Sequence, residues 1–169
     1  MDGIELLLLR HGIAEERRPG LDDGRNLTAE GRRRTETVLR RALDLGLDLQ
    51  LLFSSPLNRA RQTAEIAVAV GLAPSWQAAG ALAPGGDSSG WLAAYLGSLP
   101  LPKGGRIGLV GHEPDLGLLA AQLLGARPGA IALRKAGLLQ VTLDPLWEPG
   151  EPLQAQLDLL LRPRILLTD

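Results

Sequence analysis

The chain has two histidines, His11 and His112, and one residue separates each of them from a short apolar run, residues 6–9 and 107–110. Both runs have the length and continuous hydrophobicity of strands that are buried on both faces of a parallel sheet. In such a sheet the carboxyl ends of the strands meet at one edge, which is where ligands bind. We therefore expect the two imidazoles to lie together at that edge.

Two arginines are expected at the same edge. Arg10 directly precedes His11. A third apolar run, residues 51–53, ends in Ser54-Ser55-Pro56, and Arg59 lies one helical turn beyond that end. Guanidinium groups and helix N-termini bind phosphate, and a neutral imidazole that faces a phosphoryl group can accept it onto nitrogen. A metal site is the rival interpretation, because histidine is the commonest metal ligand. Since neighbouring arginines would repel a cation, the residue types favour a phosphate site.

The elements that must position these residues alternate along the chain. Strands are predicted at residues 6–9, 51–53 and 107–110, with a short one around residue 76. Helices are predicted at residues 29–45, 57–70, 87–99 and 114–124, with Thr28 as an N-cap and Pro114 as a first helical residue. Later strands are predicted at an edge of the sheet, at residues 130–133, 138–143 and 153–161. This order predicts one domain, residues 1–169, with a three-layer α/β/α fold and a mostly parallel sheet.

Composition narrows the classes of function. The chain has 169 residues, a formal net charge of −1 and 3% aromatic residues, which argues against a nucleic-acid partner recognised by charge and stacking. The absence of cysteine excludes a thiol nucleophile and cysteine-based zinc sites. No apolar stretch reaches the ~20 residues of a membrane-spanning helix, and no secretory pattern is found. We therefore expect no membrane partner, and the cytoplasm is the default location.

Four segments carry a family resemblance. Residues 10–12 read Arg-His-Gly, residues 26–31 contain Leu-Thr-x-x-Gly, and residues 55–64 contain Ser-Pro-x-x-Arg-Ala-x-Gln-Thr. Residues 110–114 place the second histidine in a turn after a strand. These segments, in this order, resemble the motifs of the histidine phosphatase (phosphoglycerate mutase-like) superfamily. The small size, the Leu-Ala-Pro-Gly-Gly-Asp segment at residues 82–87 and the Gly-His-x-Pro pattern at residues 111–114 are most similar to its SixA-type phosphohistidine phosphatases.

The resemblance implies a role for each matching residue. His11 would be the nucleophile and would be phosphorylated during turnover. Arg10, Arg59 and His112 would hold the phosphoryl oxygens, and Arg25 would add a further contact. No metal ion or other cofactor is implied.

The chain departs from the family pattern at the general acid. Larger relatives generally carry a carboxylate after the second helix, but here residues 76–86 contain none and Asp87 is the first. Asp87 is therefore a candidate acid, with a helix N-cap as its alternative role, and Glu113 is a further candidate. Phosphohistidine tolerates a missing acid better than a phosphate ester does, because its ring can be protonated on the other nitrogen and can leave as neutral imidazole.

The function expected from these features is metal-independent hydrolysis of phosphohistidine in proteins, through a phosphohistidine intermediate on the enzyme. The expected partner is a phosphohistidine-bearing protein such as a phosphotransfer domain, and a monomer is the default state. Two alternatives stay open: a histidine-type phosphatase of small phosphate esters, and a catalytically silent module that binds phosphoproteins.

Overall fold

The computed structural model describes residues 3–20, 23–98 and 104–167. Its strands are β1 (Glu5–Arg10), β2 (Leu51–Ser54), β3 (Gln77–Ala78), β4 (Arg106–Gly111), β5 (Leu138–Leu143) and β6 (Ala155–Leu161). Its helices are α1 (Ala29–Asp44), α2 (Asn58–Ala69), α3 (Ser88–Ser98), α4 (Asp115–Leu123) and α5 (Pro163–Leu166), with a 3₁₀ turn at Gly80–Leu82.

The six strands form one sheet in the order β3-β2-β4-β1-β5-β6. Strands β3, β2, β4 and β1 are parallel, whereas β5 pairs antiparallel with β1 and β6 pairs antiparallel with β5. The predicted α/β fold with a mostly parallel sheet is therefore confirmed, and two of the three predicted late strands, β5 and β6, lie at one edge of the sheet.

The apolar run in β1 explains why helices cover both faces of the sheet. Leu6 and Leu8 are buried on one face, in a cluster with side chains of α3 and α4. Leu7 and Leu9 are buried on the other face, with side chains of α1, α2 and α5. Successive strand residues point to opposite faces, so a strand covered on both sides must be apolar throughout.

Helix α1 begins where its cap predicts. The side-chain oxygen of Thr28 accepts a hydrogen bond of 2.9 Å from the backbone N–H of Gly31, and this bond satisfies one of the free donors of the first turn. Pro114 precedes the first residue of α4 rather than occupying it, a difference of one position. The predicted end of α3 at Leu99 lies outside the described residues.

The strand predicted at residues 130–133 is wrong, because the chain bends at residue 130 and residues 131–133 are irregular and pair with none of the described strands. Instead, the backbone N–H and C=O of Leu133 are hydrogen-bonded to the side chains of Glu113 and Arg10. The last strand begins at Ala155 rather than at residue 153. Within the described ranges, no helix is long and apolar enough to cross a membrane.

Candidate active site

The two histidines lie side by side at the carboxyl edge of the sheet. Strands β1 and β4 are adjacent and parallel, with Arg10 opposite Gly111, so His11 and His112 follow at the same level. Their ring centroids are 5.2 Å apart, with an angle of 55° between the ring planes. Both side chains are buried. The sheet topology thus brings together two residues that are about a hundred positions apart in the chain.

A backbone hydrogen bond sets the orientation of the His11 ring. Its Nδ1 lies 2.7 Å from the carbonyl oxygen of Gly12, which can only accept, so Nδ1 carries the proton and Nε2 carries the lone pair. A side chain at Gly12 would collide with the Thr35 hydroxyl of α1. Close packing of the turn after β1 against α1 therefore requires glycine at this position.

Helix α2 is tied to the same turn. The backbone N–H of Gly12 donates to Thr63 Oγ1 at 3.1 Å, and the Thr63 hydroxyl donates to the carbonyl oxygen of Arg59 at 2.8 Å. Arg59, in the first turn of α2, is only 2% exposed. These bonds hold the Arg59 backbone at a fixed place relative to His11.

The site keeps the His11 imidazole neutral. Burial lowers its pKa from 6.5 to about 3, and electrostatic interactions with His112, Arg59 and Arg10 act in the same direction. The bond to Gly12 opposes this shift but does not outweigh it. Each of these three residues, which the sequence predicts at the same edge, is therefore close enough to His11 to act on its pKa. A neutral imidazole retains the lone pair that a nucleophile needs.

The same burial predicts a loss of stability in acid. Because the pKa of His11 is lower in the folded than in the unfolded chain, the unfolded chain binds more protons between about pH 3 and pH 6.5, and stability falls as the pH falls through this range. From pH 7 to pH 5 the His11 contribution to the free energy of unfolding should decrease by about 2 kcal/mol in the ligand-free protein. Urea unfolding at both pH values measures this decrease.

The control is the variant His11→Asn, whose free energy of unfolding should decrease correspondingly less between pH 7 and pH 5. An equal decrease in the wild-type protein and the variant would contradict the lowered pKa of His11.

A serine hydroxyl orients His112. Its Nε2 lies 2.7 Å from Ser55 Oγ, which also accepts a bond of 3.3 Å from the backbone N–H of Leu57. Ser55 follows β2, the neighbour of β4 in the sheet. From the sequence, Ser55 belongs to a family-like segment, but its contact with His112 depends on strand order, which the sequence pattern does not reveal.

Arg10 and Glu113 meet at the backbone of Leu133. Arg10 Nη1 donates to the Leu133 carbonyl oxygen at 2.9 Å, and the Leu133 N–H donates to Glu113 Oε1 at 3.2 Å. Burial raises the pKa of Glu113, although backbone hydrogen bonds from Leu133 and Gly117 and the charge of Arg10 oppose that rise. Glu113 thus fixes the segment that holds Arg10, a role that the sequence did not predict.

The remaining two candidates lie in loops and at a helix end. Arg25 Nη1 donates to the Glu15 carbonyl oxygen at 3.1 Å, and Arg25 lines a cleft of about 350 Å³ with Glu15, Glu16 and Arg18. Its contact with phosphate stays a prediction. Asp87 is the exposed N-cap of α3, and its Oδ1 accepts a bond of 2.9 Å from the Gly90 N–H. The cap role of Asp87 is confirmed, whereas its role as an acid stays untested.

Comparison with known proteins agrees with this geometry. The family model of the histidine phosphatase superfamily (branch 1) matches residues 6–78. An uncharacterized protein of Picosynechococcus sp. (strain ATCC 27264 / PCC 7002 / PR-6) is 42% identical over 138 residues, which cover 80% of this chain and 83% of that protein.

Two solved structures show the same fold. The protein histidine phosphatase SixA, complexed with tungstate, matches with a TM-score of 0.80 and 26% identity, over 96% of this chain and 99% of that one. The mycobacterial glucosyl-3-phosphoglycerate phosphatase matches with a TM-score of 0.73 and 21% identity, over 91% of this chain and 96% of that one. The architecture is therefore that of phosphoglycerate mutase-like proteins, whose members include phosphatases with different substrates.

Proposed function

This chain belongs to the histidine phosphatase superfamily, and we propose that it removes phosphate from phosphohistidine in proteins without a metal, through phosphorylated His11. The observation that carries the proposal is the state of the His11 ring. Its Nδ1 is bonded to Gly12, its Nε2 bears the lone pair, and its lowered pKa keeps it neutral. The similarity to SixA, a protein histidine phosphatase that holds the tetrahedral oxyanion tungstate, supports the choice of substrate. The cytoplasmic location expected from the sequence is part of this proposal.

In the first step, the lone pair of His11 Nε2 forms a bond to the substrate phosphorus while the substrate P–N bond breaks. The electron pair of that bond returns to the substrate ring, which leaves as neutral imidazole because its other nitrogen carries a proton. His11 keeps its own proton on Nδ1, where the Gly12 carbonyl oxygen accepts it. No proton therefore has to move within the enzyme.

In the second step, water attacks the phosphorus of phosphorylated His11 and the bond to Nε2 breaks. Both water protons leave with the product as dihydrogen phosphate, and Nε2 regains its lone pair. The enzyme returns to its starting state because Nδ1 has held its proton throughout. In each step, the ring that loses the phosphoryl group carries a proton on its other nitrogen and leaves as neutral imidazole. Neither step therefore needs a carboxylic acid to protonate the leaving group, and no such acid has been identified at this site.

Arg10, Arg59 and His112 are proposed to hold the phosphoryl oxygens during both steps. Phosphoryl transfer depends mostly on positioning and on stabilisation of charge, and a single arginine can contribute ~10³–10⁵ in rate. The buried Arg59 acts in surroundings where water screens its charge poorly, which strengthens its attraction to an anion. The substrate is proposed to be a protein such as a phosphotransfer domain.

The missing acid makes the leaving group the decisive test. A phosphohistidine protein and p-nitrophenyl phosphate should be hydrolysed, whereas 3-phosphoglycerate, with its basic alkoxide leaving group, should be slower by ~10²–10⁴. Initial rates with a histidine-phosphorylated phosphotransfer domain and the two small esters, all in EDTA, measure this order.

Fastest turnover of 3-phosphoglycerate would identify a small-ester phosphatase. Turnover of none of the three would favour a binding module, and a loss in EDTA that a divalent ion reverses would contradict the metal-independent mechanism.

The variant Asp87→Asn tests whether Asp87 acts as the general acid. Asparagine caps a helix about as well as aspartate, so the structure of α3 should be retained. If Asp87 acts only as the cap, the variant should hydrolyse every substrate within about twofold of the wild-type rate. A selective loss of ~10²-fold or more on 3-phosphoglycerate would instead assign the acid to Asp87.

A further inference from the structure

A basic cleft adjoins the active site. Its volume is about 510 Å³, and eight of the residues that the structure describes line it; six of these eight are cations and none of them is acidic. These six residues are Arg10, Arg34, Arg134, Lys135, Arg162 and Arg164. The chain as a whole has a formal net charge of −1, so the basic cleft is not a consequence of a generally basic composition. Arg10 belongs both to this lining and to the residues that act on His11, which places the cleft next to the site.

Three separate parts of the fold supply the five cations other than Arg10, which is the last residue of β1. Arg34 lies on α1, and Arg162 and Arg164 flank Pro163 at the start of α5. The turn at residues 134–137 supplies the others, and it is pinned to the end of β1. The backbone N–H of Ala136 is 3.1 Å from the carbonyl oxygens of both Arg10 and His11, and Ala136 has a positive φ of 59°. A non-glycine residue in this conformation costs about 1–2 kcal/mol, which the surrounding turn must offset.

The basic cleft is suited to an extended anionic surface. All of its cations except Arg10 are exposed. Of these, Arg34 forms an exposed ion pair with Glu30, with 3.9 Å between Arg34 Nη1 and Glu30 Oε1. Solvent screens such a pair strongly. Arg134 is close enough to Arg10 to contribute to lowering its pKa, after the larger effect of burial. Such a concentration of like charge attracts anions and speeds their association by ~10–10³-fold at low salt.

We propose that the basic cleft binds aspartate and glutamate side chains that lie beside the phosphohistidine of a protein substrate. The inference rests on the proposed function, because it names the surface that surrounds the phosphoryl group. Exposed cations from three elements match several separated carboxylates on one protein face better than they match a single small anion. Charge complementarity of this kind guides the encounter and fixes the orientation of the partner. Arg10 connects this docking surface to the phosphoryl group.

Two phosphohistidine peptides test the proposal directly. In one peptide aspartate and glutamate flank the phosphohistidine, and in the other asparagine and glutamine replace them. The wild-type protein should hydrolyse the acidic peptide with a kcat/KM about tenfold or more above that of the neutral peptide at low salt. The preference should shrink when the ionic strength is raised, because the charges are exposed and are screened within about 10 Å at 0.1 M salt.

Charge-reversal variants identify the residues that cause the preference for the acidic peptide. The double variant Arg162→Glu/Arg164→Glu should lose the preference for the acidic peptide, and Arg162→Gln/Arg164→Gln should lose part of it. The matched control is Arg33→Glu/Arg127→Glu, which changes the net charge by the same amount at two exposed positions outside this lining. The control should keep the preference, and all variants should keep the kcat for p-nitrophenyl phosphate, which shows that they are folded.

The outcomes separate this proposal from the function on which it rests. Equal hydrolysis of both peptides by the wild-type protein would overturn the docking role but leave the phosphohistidine activity standing. Hydrolysis of p-nitrophenyl phosphate with no hydrolysis of either peptide would overturn the proposed function itself. If a sugar bisphosphate is preferred over the sugar monophosphate, and the charge reversal abolishes only that preference, the basic cleft belongs to a small substrate and the proposal is wrong.

Discussion

His11→Ala should reduce kcat by at least ~10³-fold and should abolish covalent labelling of the enzyme. The physical reason is that His11 Nε2 bears the lone pair that attacks phosphorus, while its Nδ1 is bonded to Gly12. The measurement is rapid denaturation during turnover of ³²P-labelled substrate, followed by separation of the protein from free phosphate. The label on the wild-type protein should be labile in acid and stable in base, as expected for a phosphorylated histidine.

The second histidine is the matched control for this experiment. His112→Gln should also slow turnover, because His112 is proposed to hold a phosphoryl oxygen, but the trapped label should remain on His11. The two rings are 5.2 Å apart, so the experiment separates the acceptor from its neighbour. Retention of the label in His11→Ala would assign the nucleophile to a different residue and would refute the mechanism.

Arg59→Met should reduce kcat/KM by ~10³–10⁵-fold, because a buried guanidinium that stabilises the transferring phosphoryl group has no substitute from solvent. Arg59→Lys keeps the charge but loses the fork of donors, so it should recover only part of this loss. Steady-state kinetics with p-nitrophenyl phosphate measures the effect without any contribution from a protein partner.

Two further measurements exclude a purely structural explanation. The control variant Arg61→Lys changes a partly exposed arginine two positions further along α2, whose Nη1 lies 3.5 Å from Glu65 Oε1. It should change kcat/KM by less than about twofold, because such solvent-screened pairs contribute little. The pKa of His11, followed by NMR, should rise in Arg59→Met because one of the charges that lowers it is gone, although burial remains the larger cause. An unchanged pKa together with unchanged kinetics would show that Arg59 does not act on the phosphoryl group.

Local sequence patterns were sufficient for the elements around the site. The apolar runs before His11 and His112 predict the strands that the structure has, because a strand covered on both faces must be apolar throughout. Thr28 predicts the start of α1, because an N-cap acts over three residues. The order of strands and helices also predicts a sheet whose carboxyl edge collects both histidines.

The same reasoning fails where contacts are distant. Residues 130–133 have the composition of a strand, but the Leu133 backbone is bonded to Glu113, 20 positions away, and to Arg10, 123 positions away. No pattern within a short window of sequence reveals such partners. The basic cleft is a second example, because Arg34, Arg134 and Arg162 become neighbours only when α1, the turn after residue 133 and the start of α5 pack together.

The sequence by itself therefore determined which residues are available for chemistry and at which edge of the sheet they gather. Only the tertiary structure decided how they act: the Gly12 carbonyl that selects the protonated nitrogen of His11, the Ser55 hydroxyl that orients His112, and the burial that lowers the pKa of His11 to about 3. The physical reason is the range of the forces involved. Hydrophobic periodicity and helix caps act between near neighbours in the chain, whereas burial and electrostatic interactions depend on every residue that the fold brings close.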